Sequence, residues 1–149
     1  ETIEVAFSQA RSNGAVTVLN PAPARDIPES LLSVANIVVP NETESAAIGG
    51  TKNLLSLGAA TVITTLGADG ASIETSSSTT HIAPHKVTPV DTVGAGDAFI
   101  GATCAELSRG ASIEDAARMG AIAGALATTV KGAVPSLPTR QAVLAAQKS

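Results

Sequence analysis

Apolar positions along the chain change period several times, and each change predicts an element. Ile3, Val5, Ala6, Phe7 and Ala10 fall mainly on one helical face, and "SNG" stops the run, which predicts a helix over 2–12. "AVTVLN" (15–20) is a short β-branched run broken by "PAPA", the pattern of a buried parallel strand. "PESLLSVA" (28–35) predicts a short helix with Pro28 near its start, and "NIVVP" (36–40) the next strand, closed by Pro40. "NETESAAIGG" (41–50) opens with a capping residue and first-turn acids, so a helix should start near Asn41, with a second short helix over 51–59. Residues 60–76 read as strand, tight glycine turn, strand, and 77–87 as a polar turn into another strand. After Val90 the period becomes helical over 95–109, 112–130 and 139–148, punctuated by Gly110, Gly132, Pro135 and Pro138.

Strands alternating with helices, then a hairpin, then helices indicate α/β layering on a largely parallel sheet. There is no internal repeat and no linker that would divide two domains. The 149 residues are therefore expected to form one domain, with the low-complexity "SSSTT" (76–80) as a hairpin loop. Phe7 and Phe99 are the only aromatic residues, so the core must be built from Ala, Val, Leu and Ile.

Composition removes several function classes. The net charge is −4 and no Lys/Arg run occurs, which argues against a nucleic-acid partner. Trp and Tyr are absent, so stacking platforms for single strands are missing too. Cys104 is the single cysteine and excludes an intrachain disulfide; on its apolar helix it reads as a small buried thiol. No apolar run approaches the roughly 20 residues of a membrane span. No basic region followed by an apolar stretch opens the chain. A cytoplasmic protein is expected, with a nuclear location also open in a eukaryote. His81 and His85 have no partner at ligand spacing and read as non-functional.

Four stretches carry candidate chemistry. In "VDTVGAGDAFIGA" (90–102), Gly94, Ala95 and Gly96 leave a bare backbone between Asp91 and Asp97. If a helix starts there, its first N–H groups and its dipole make an anion site. Asp97, in the first turn, is placed as general base for a hydroxyl attacking a phosphoryl group. The same residues also suit a glycine turn with Asp97 as an acid that compensates the helix dipole. In "VVPNETE", Asn41 and Glu44 share a helical face; they could hold a hydrated Mg²⁺, or simply form a capping box. "TTLGADG" (64–70) suits a turn over a nucleotide or an ordinary hairpin. "KGAVPSLP" (131–138) ends the long alanine-rich helix and exposes carbonyls that could ligate a cation.

Together these motifs resemble the ribokinase (PfkB) family of carbohydrate kinases. "DTVGAGDAFIGA" is similar to the family's C-terminal signature. "LNPAPA" (19–24) and "PNETE" (40–44) resemble its ribokinase branch rather than the adenosine kinase or fructokinase branches. "TTLGADG" and "KGAVPSLP" match in the expected order, and the resemblance covers essentially the whole chain. It implies a three-layer α/β/α fold with a mainly parallel sheet, and ATP-dependent phosphorylation of the ribose 5-hydroxyl. Asp97 resembles the catalytic base, which also touches sugar and nucleotide. Gly94, Ala95 and Gly96 resemble the anion hole, with Gly96 also at the nucleotide. Asn41, Thr65, Leu66, Gly67, Ala68, Asp69 and Gly70 resemble nucleotide contacts, and Ala121 falls where the family meets adenine. Asn41 and Glu44 belong to the motif that positions Mg²⁺. Asp91, Val93, Ala127, Val130, Gly132 and Ser136 resemble the ligands of an activating K⁺, several through backbone carbonyls. The implied partners are a small pentose and ATP, and full-length relatives are often homodimers.

The family's chains are about twice as long as these 149 residues. The resemblance is to their C-terminal half, without the N-terminal half that carries the di-glycine sugar motif and the lid strands. The stretch between "NETE" and "TTLG" is also shorter than usual. The expectation is that this chain alone is not an efficient kinase.

Overall fold

A computed structural model describes residues 2–148. Eight helices and five strands occur among them: α1 (Thr2–Ser12), β1 (Val18–Leu19), α2 (Glu29–Leu32), β2 (Ile37–Val38), α3 (Glu42–Ala47), α4 (Gly50–Ser56), β3 (Thr61–Thr65), β4 (Ala71–Glu74), β5 (Thr79–Ile82), α5 (Ala95–Leu107), α6 (Ile113–Ala127), α7 (Ala133–Ser136) and α8 (Arg140–Ala146). The strands form one sheet in the order β1-β2-β3-β4-β5. β1 to β3 run parallel, with Val18 opposite Ile37 and Ile37 opposite Thr61. The α/β class and parallel pairing expected from the pattern are present. No helix among the described residues is long and apolar enough to cross a membrane.

The chain divides into two compact units. One runs to Leu66 and takes in Ser72–Thr80; the other comprises Gly67–Ala71 and the residues from His81 onward. In the first unit Leu19, Leu32, Ala35, Val38, Leu54, Ala59 and Val62 form the core, with Phe7, Ile27 and Leu31 packed against it. β-branched residues on the central strands are buried on both faces, as a parallel strand covered by helices requires.

β1 and β2 are shorter than the runs that predict them, because side chains take over the ladder at its ends. Thr17 receives Ile37 N–H on its carbonyl at 3.0 Å, but its own N–H and hydroxyl donate to Asn36 Oδ1 and its hydroxyl also to Val34 O. At the other end Asn20 Nδ2 donates to Val39 O at 2.8 Å, where the next rung would stand. Side-chain bonds replace ladder bonds there, with less regular strand.

In the second unit Met119, Ile122, Ala123 and Val143 are buried together, with Ala102, Leu126 and Leu144 against them. α5 and α6 pack closely because α6 carries glycines where they meet. A Cβ on Gly120 would collide with Thr103 Oγ1 and sit 2.8 Å from the Phe99 carbonyl oxygen. α8 is tied to α5 by a bidentate pair, Arg140 Nε and Nη2 donating to Glu106 at 2.7 and 3.1 Å, with the Glu106 side chain only 11% exposed. The Arg140 hydrogen bond holds the Glu106 carboxyl below its ordinary value of 4.5. A depressed carboxyl stabilises the fold above its ordinary range and loses that contribution as pH falls through the folded value. Acid unfolding of a Glu106→Gln variant should therefore show a flatter pH dependence below about pH 4.5 than the parent chain. Identical profiles would show that the pair is not the acid-sensitive contact.

α7 differs from expectation, since "GAVPS" reads as a helix stop. Pro135 is the third residue of this four-residue helix. In the first turn the N–H that proline lacks would have no intrahelical partner, so the helical turn closes around it.

Candidate active site

In the first unit, the chain leaves β2 through Pro40 and enters α3 at Asn41, whose extended backbone caps the helix. Asn41 Oδ1 accepts from Glu44 N–H at 2.8 Å, and Glu44 Oε2 accepts from Asn41 N–H at 2.9 Å. This is a complete capping box, so the structural alternative for this pair is realised. It leaves Asn41 Nδ2 and Glu44 Oε1 without a protein partner among the described residues. Asn41 bridges Thr65 in parallel register, and Thr65 N–H donates to Pro40 O at 3.0 Å. The first contact residue after β2 and the last residue of β3 thus lie side by side at the carboxyl ends of parallel strands, where open α/β sheets bind ligands. Beneath them Thr51 Oγ1 lies 3.3 Å from Thr64 Oγ1 and 3.5 Å from Ser45 Oγ. Ser45 and Thr64 are buried, so these hydroxyls couple α3 and α4 to β3.

Beyond half-buried Leu66, Gly67, Ala68 and Asp69 form an exposed 3-10 turn closed by Gly70 N–H on Gly67 O at 3.3 Å. Gly70 has φ +89° and lies so close to Ile82 O, Pro84 N and Ala83 C that a Cβ has no room. Those are backbone atoms, so the turn is held in place and its outer face left bare.

The centre of the second unit's site is the start of α5. Its N-cap, Gly94, has φ +81°, and a Cβ there would also press on Ala133 at 3.2 Å. No side chain caps the helix. Ala95 N–H donates to Thr92 O at 3.2 Å, so of the bare stretch this amide is occupied. The N–H groups of Gly96 and Asp97 have no acceptor among the described residues. Space over Gly96 is open, and Asp97 is exposed with its carboxylate in no hydrogen bond or ion pair among the described residues. Free amides, a helix N-terminus and an unengaged carboxylate can bind an anion and accept a proton beside it.

Asp91 does different work. Its Oδ2 accepts from Gly132 N–H at 2.8 Å and its Oδ1 from Val93 N–H at 3.1 Å. Val90 and Asp91 N–H both donate to Thr128 O, at 2.7 and 3.0 Å. The loop before α5 is thereby laced to the end of α6. These donors, Gly132 first, hold the Asp91 carboxyl below its ordinary value of 3.8. The depressed value means that the contact contributes above that range and is lost as pH falls through it. Protection of the Gly132 amide against exchange should fall as pH drops from 3.8 through the lower folded value, and in Asp91→Ala protection should already be weak at neutral pH. Equal exchange in both proteins would refute the tie.

Of the residues expected around K⁺, Asp91, Val93 and Gly132 are joined by these bonds. Ser136 is buried in α7, its N–H on Gly132 O at 3.2 Å and its hydroxyl on Ala133 O at 2.7 Å. Ala127 O accepts a long bond, 3.4 Å, from Val130 N–H. The donor set is all oxygen, carboxylate and carbonyl, and each keeps a lone pair, so its chemistry suits a hard cation. Ala121, expected near adenine, is half-buried on α6 and offers only a methyl group. For Mg²⁺, Glu44 Oε1 is a single available carboxylate oxygen, and no cluster of three or more His, Cys, Asp or Glu side chains exists among the described residues. That fits an ion bound mainly through phosphates and water. One participant carries no motif signal: Thr128, which acts through its carbonyl; Ala133, inside "KGAVPSLP", acts by proximity. Gly124 was legible only as a helix glycine four residues after Gly120.

Known proteins resemble the chain over nearly its whole length. Residues 1–140 match the family described as pfkB family carbohydrate kinase. A ribokinase of Staphylococcus aureus is 39% identical over 151 aligned positions, covering 93% of this chain and 50% of that protein. The structure of Arabidopsis thaliana ribokinase complexed with ribose and ATP superposes with a TM-score of 0.90 at 28% identity, over 99% of this chain and 52% of that one. Aminoimidazole riboside kinase from Salmonella enterica, complexed with aminoimidazole riboside and an ATP analogue, gives 0.91 at 27% identity, over 100% and 58%. The chain spans about half the length of the relatives it matches.

Proposed function

The chain belongs to the pfkB family of carbohydrate kinases, and we propose that it carries the nucleotide-binding and catalytic part, the C-terminal half, of a ribokinase-type sugar kinase. The reaction is transfer of the ATP γ-phosphoryl group to the 5-hydroxyl of ribose. The observation that carries this reading is the start of α5, where the unengaged Asp97 carboxylate stands beside the free amides of Gly96 and Asp97. Asp97 takes the proton of the sugar hydroxyl as its oxygen bonds to the γ-phosphorus. The bond from that phosphorus to the bridging oxygen breaks, and ADP leaves with the electron pair. The two amides face charge spread over the transferred group. In the second unit the exposed turn Gly67–Asp69 supplies backbone contacts to the nucleotide. Glu44 would associate with a Mg²⁺ that neutralises phosphate charge, and the oxygens of Asp91 and its neighbouring carbonyls would hold a K⁺ that adds positive charge.

ATP with Mg²⁺ and potassium present should stabilise the chain saturably, by about 2.7 kcal/mol at a hundredfold excess over Kd. A melting curve indifferent to ATP would refute nucleotide binding by this chain. A second reading, a nucleotide-binding module without transfer, is favoured by one observation, the half-length span of the match. The acceptor is the finer part of the proposal. Ribose follows from the ribokinase resemblance, while a riboside is the substrate named for one equally similar structure.

A further inference from the structure

We propose that Gly124, on α6, is a positioning residue for the anion-binding amides at the start of α5. The proposal rests on the kinase reading above. A Cβ added at Gly124 would lie 3.1 Å from the Ala95 carbonyl oxygen, its nearest neighbour, and 3.5 Å from Phe99 Cβ. That carbonyl and the Gly96 N–H are two ends of one planar peptide unit. A push on the oxygen therefore turns the amide that faces the phosphoryl position.

Three features make the effect directional. Ala95 is the first residue of α5, so the disturbed peptide is the one whose N–H has no acceptor. Gly94, immediately before it, stands at φ +81°, and Ala133 lies 3.2 Å from where a Cβ on it would be, so the turn has little room on that side. Asp91 anchors the preceding loop through Val93 and Gly132. The helix start is confined from two directions, and Gly124 is the remaining wall. Gly120 makes an informative contrast. It lies one turn away on the same helix face, and a Cβ there meets the Phe99 carbonyl oxygen and Thr103 Oγ1, both beyond the first turn of α5. Crowding at Gly120 strains the same interface without touching the first peptide.

The test compares Gly124→Ala, Gly124→Val and Gly120→Ala with the parent chain. ATP affinity with Mg²⁺ and potassium and the ¹⁵N–¹H positions of Gly96 and Asp97 are measured in each. Gly124→Val should weaken ATP binding about tenfold, the equivalent of one charge-assisted hydrogen bond, and should shift both amide signals. Gly124→Ala should do the same to a smaller extent, and serves if the valine variant does not fold. Gly120→Ala should lower the melting temperature yet leave ATP affinity and both amide positions near those of the parent. Parent-like affinity and amide positions in both Gly124 variants would overturn the proposal, as would equal loss of affinity in Gly120→Ala. If the parent chain binds no ATP, the kinase reading fails, and the amide positions alone still decide whether Gly124 sets the helix start.

Discussion

Asp97→Asn is expected to lower phosphoryl transfer by about 10²- to 10⁴-fold. ATP affinity should stay unchanged. Asparagine keeps the size of the side chain and an oxygen that can accept a hydrogen bond, but it cannot take a proton at working pH. The alternative role of Asp97, an acid that complements the α5 dipole, is worth only about 0.3–1 kcal/mol. Loss of a general base at the stated magnitude corresponds to about 3–5 kcal/mol in the barrier, so the two roles separate by size. They also separate by observable, because the dipole term acts on folding and the base on turnover. Initial rates of ADP release with ribose, paired with calorimetric ATP titration, distinguish them. A variant as fast as its parent would exclude Asp97 as the base. Intact ATP binding with background turnover in the parent would favour the nucleotide-binding module.

The largest effect on folding is expected from Gly70→Ala, at about 3 kcal/mol or more. Two costs add. A left-handed backbone costs a non-glycine residue about 1–2 kcal/mol, and Gly70 stands at φ +89°. Its new Cβ would also enter the space of the Ile82 carbonyl, with Pro84 N at 2.9 Å and Ala83 C at 3.0 Å. No flexible side chain is available to yield, so the segment between β5 and the following loop must move. For a chain of this size, each kcal/mol lowers the melting temperature by roughly 2–4 °C. A drop of about 10 °C is the expected reading. Gly67→Ala is the matched control: φ is +56° but nothing lies within 4 Å of the added carbon, so only the conformational cost applies. Equal losses in the two variants would show that the backbone contact at Gly70 contributes nothing.

Much of this architecture was legible because it is governed by local chemistry. The helix at α1, the cap at Asn41 and the start of α5 after Gly94 follow from period, capping residues and glycine placement. The two glycines of "TTLGADG" both adopt positive φ, as their spacing suggested. What was not legible depends on partners distant in sequence. Thr17 and Asn20 shorten β1 by reaching Asn36 and Val39. α7 forms where proline and glycine predict only a stop, since Pro135 happens to fall in a first turn.

The roles within "VDTVGAGD" show the same limit. Residue types and spacing alone determined that a bare backbone lies between two carboxylates, that a helix begins there, and that its amides could meet an anion. They could not separate the tasks of the two acids. Tertiary structure did: Asp91 is spent on the N–H groups of Val93 and Gly132, while Asp97 is left exposed and unengaged. The physical reason is that helix starts and turns are short-range consequences of each residue's own backbone freedom and hydrogen-bonding groups. The availability of a carboxylate or an amide depends on which donors and acceptors the rest of the chain brings to it. Gly132 lies 41 positions from Asp91 in sequence, and no local pattern encodes that meeting.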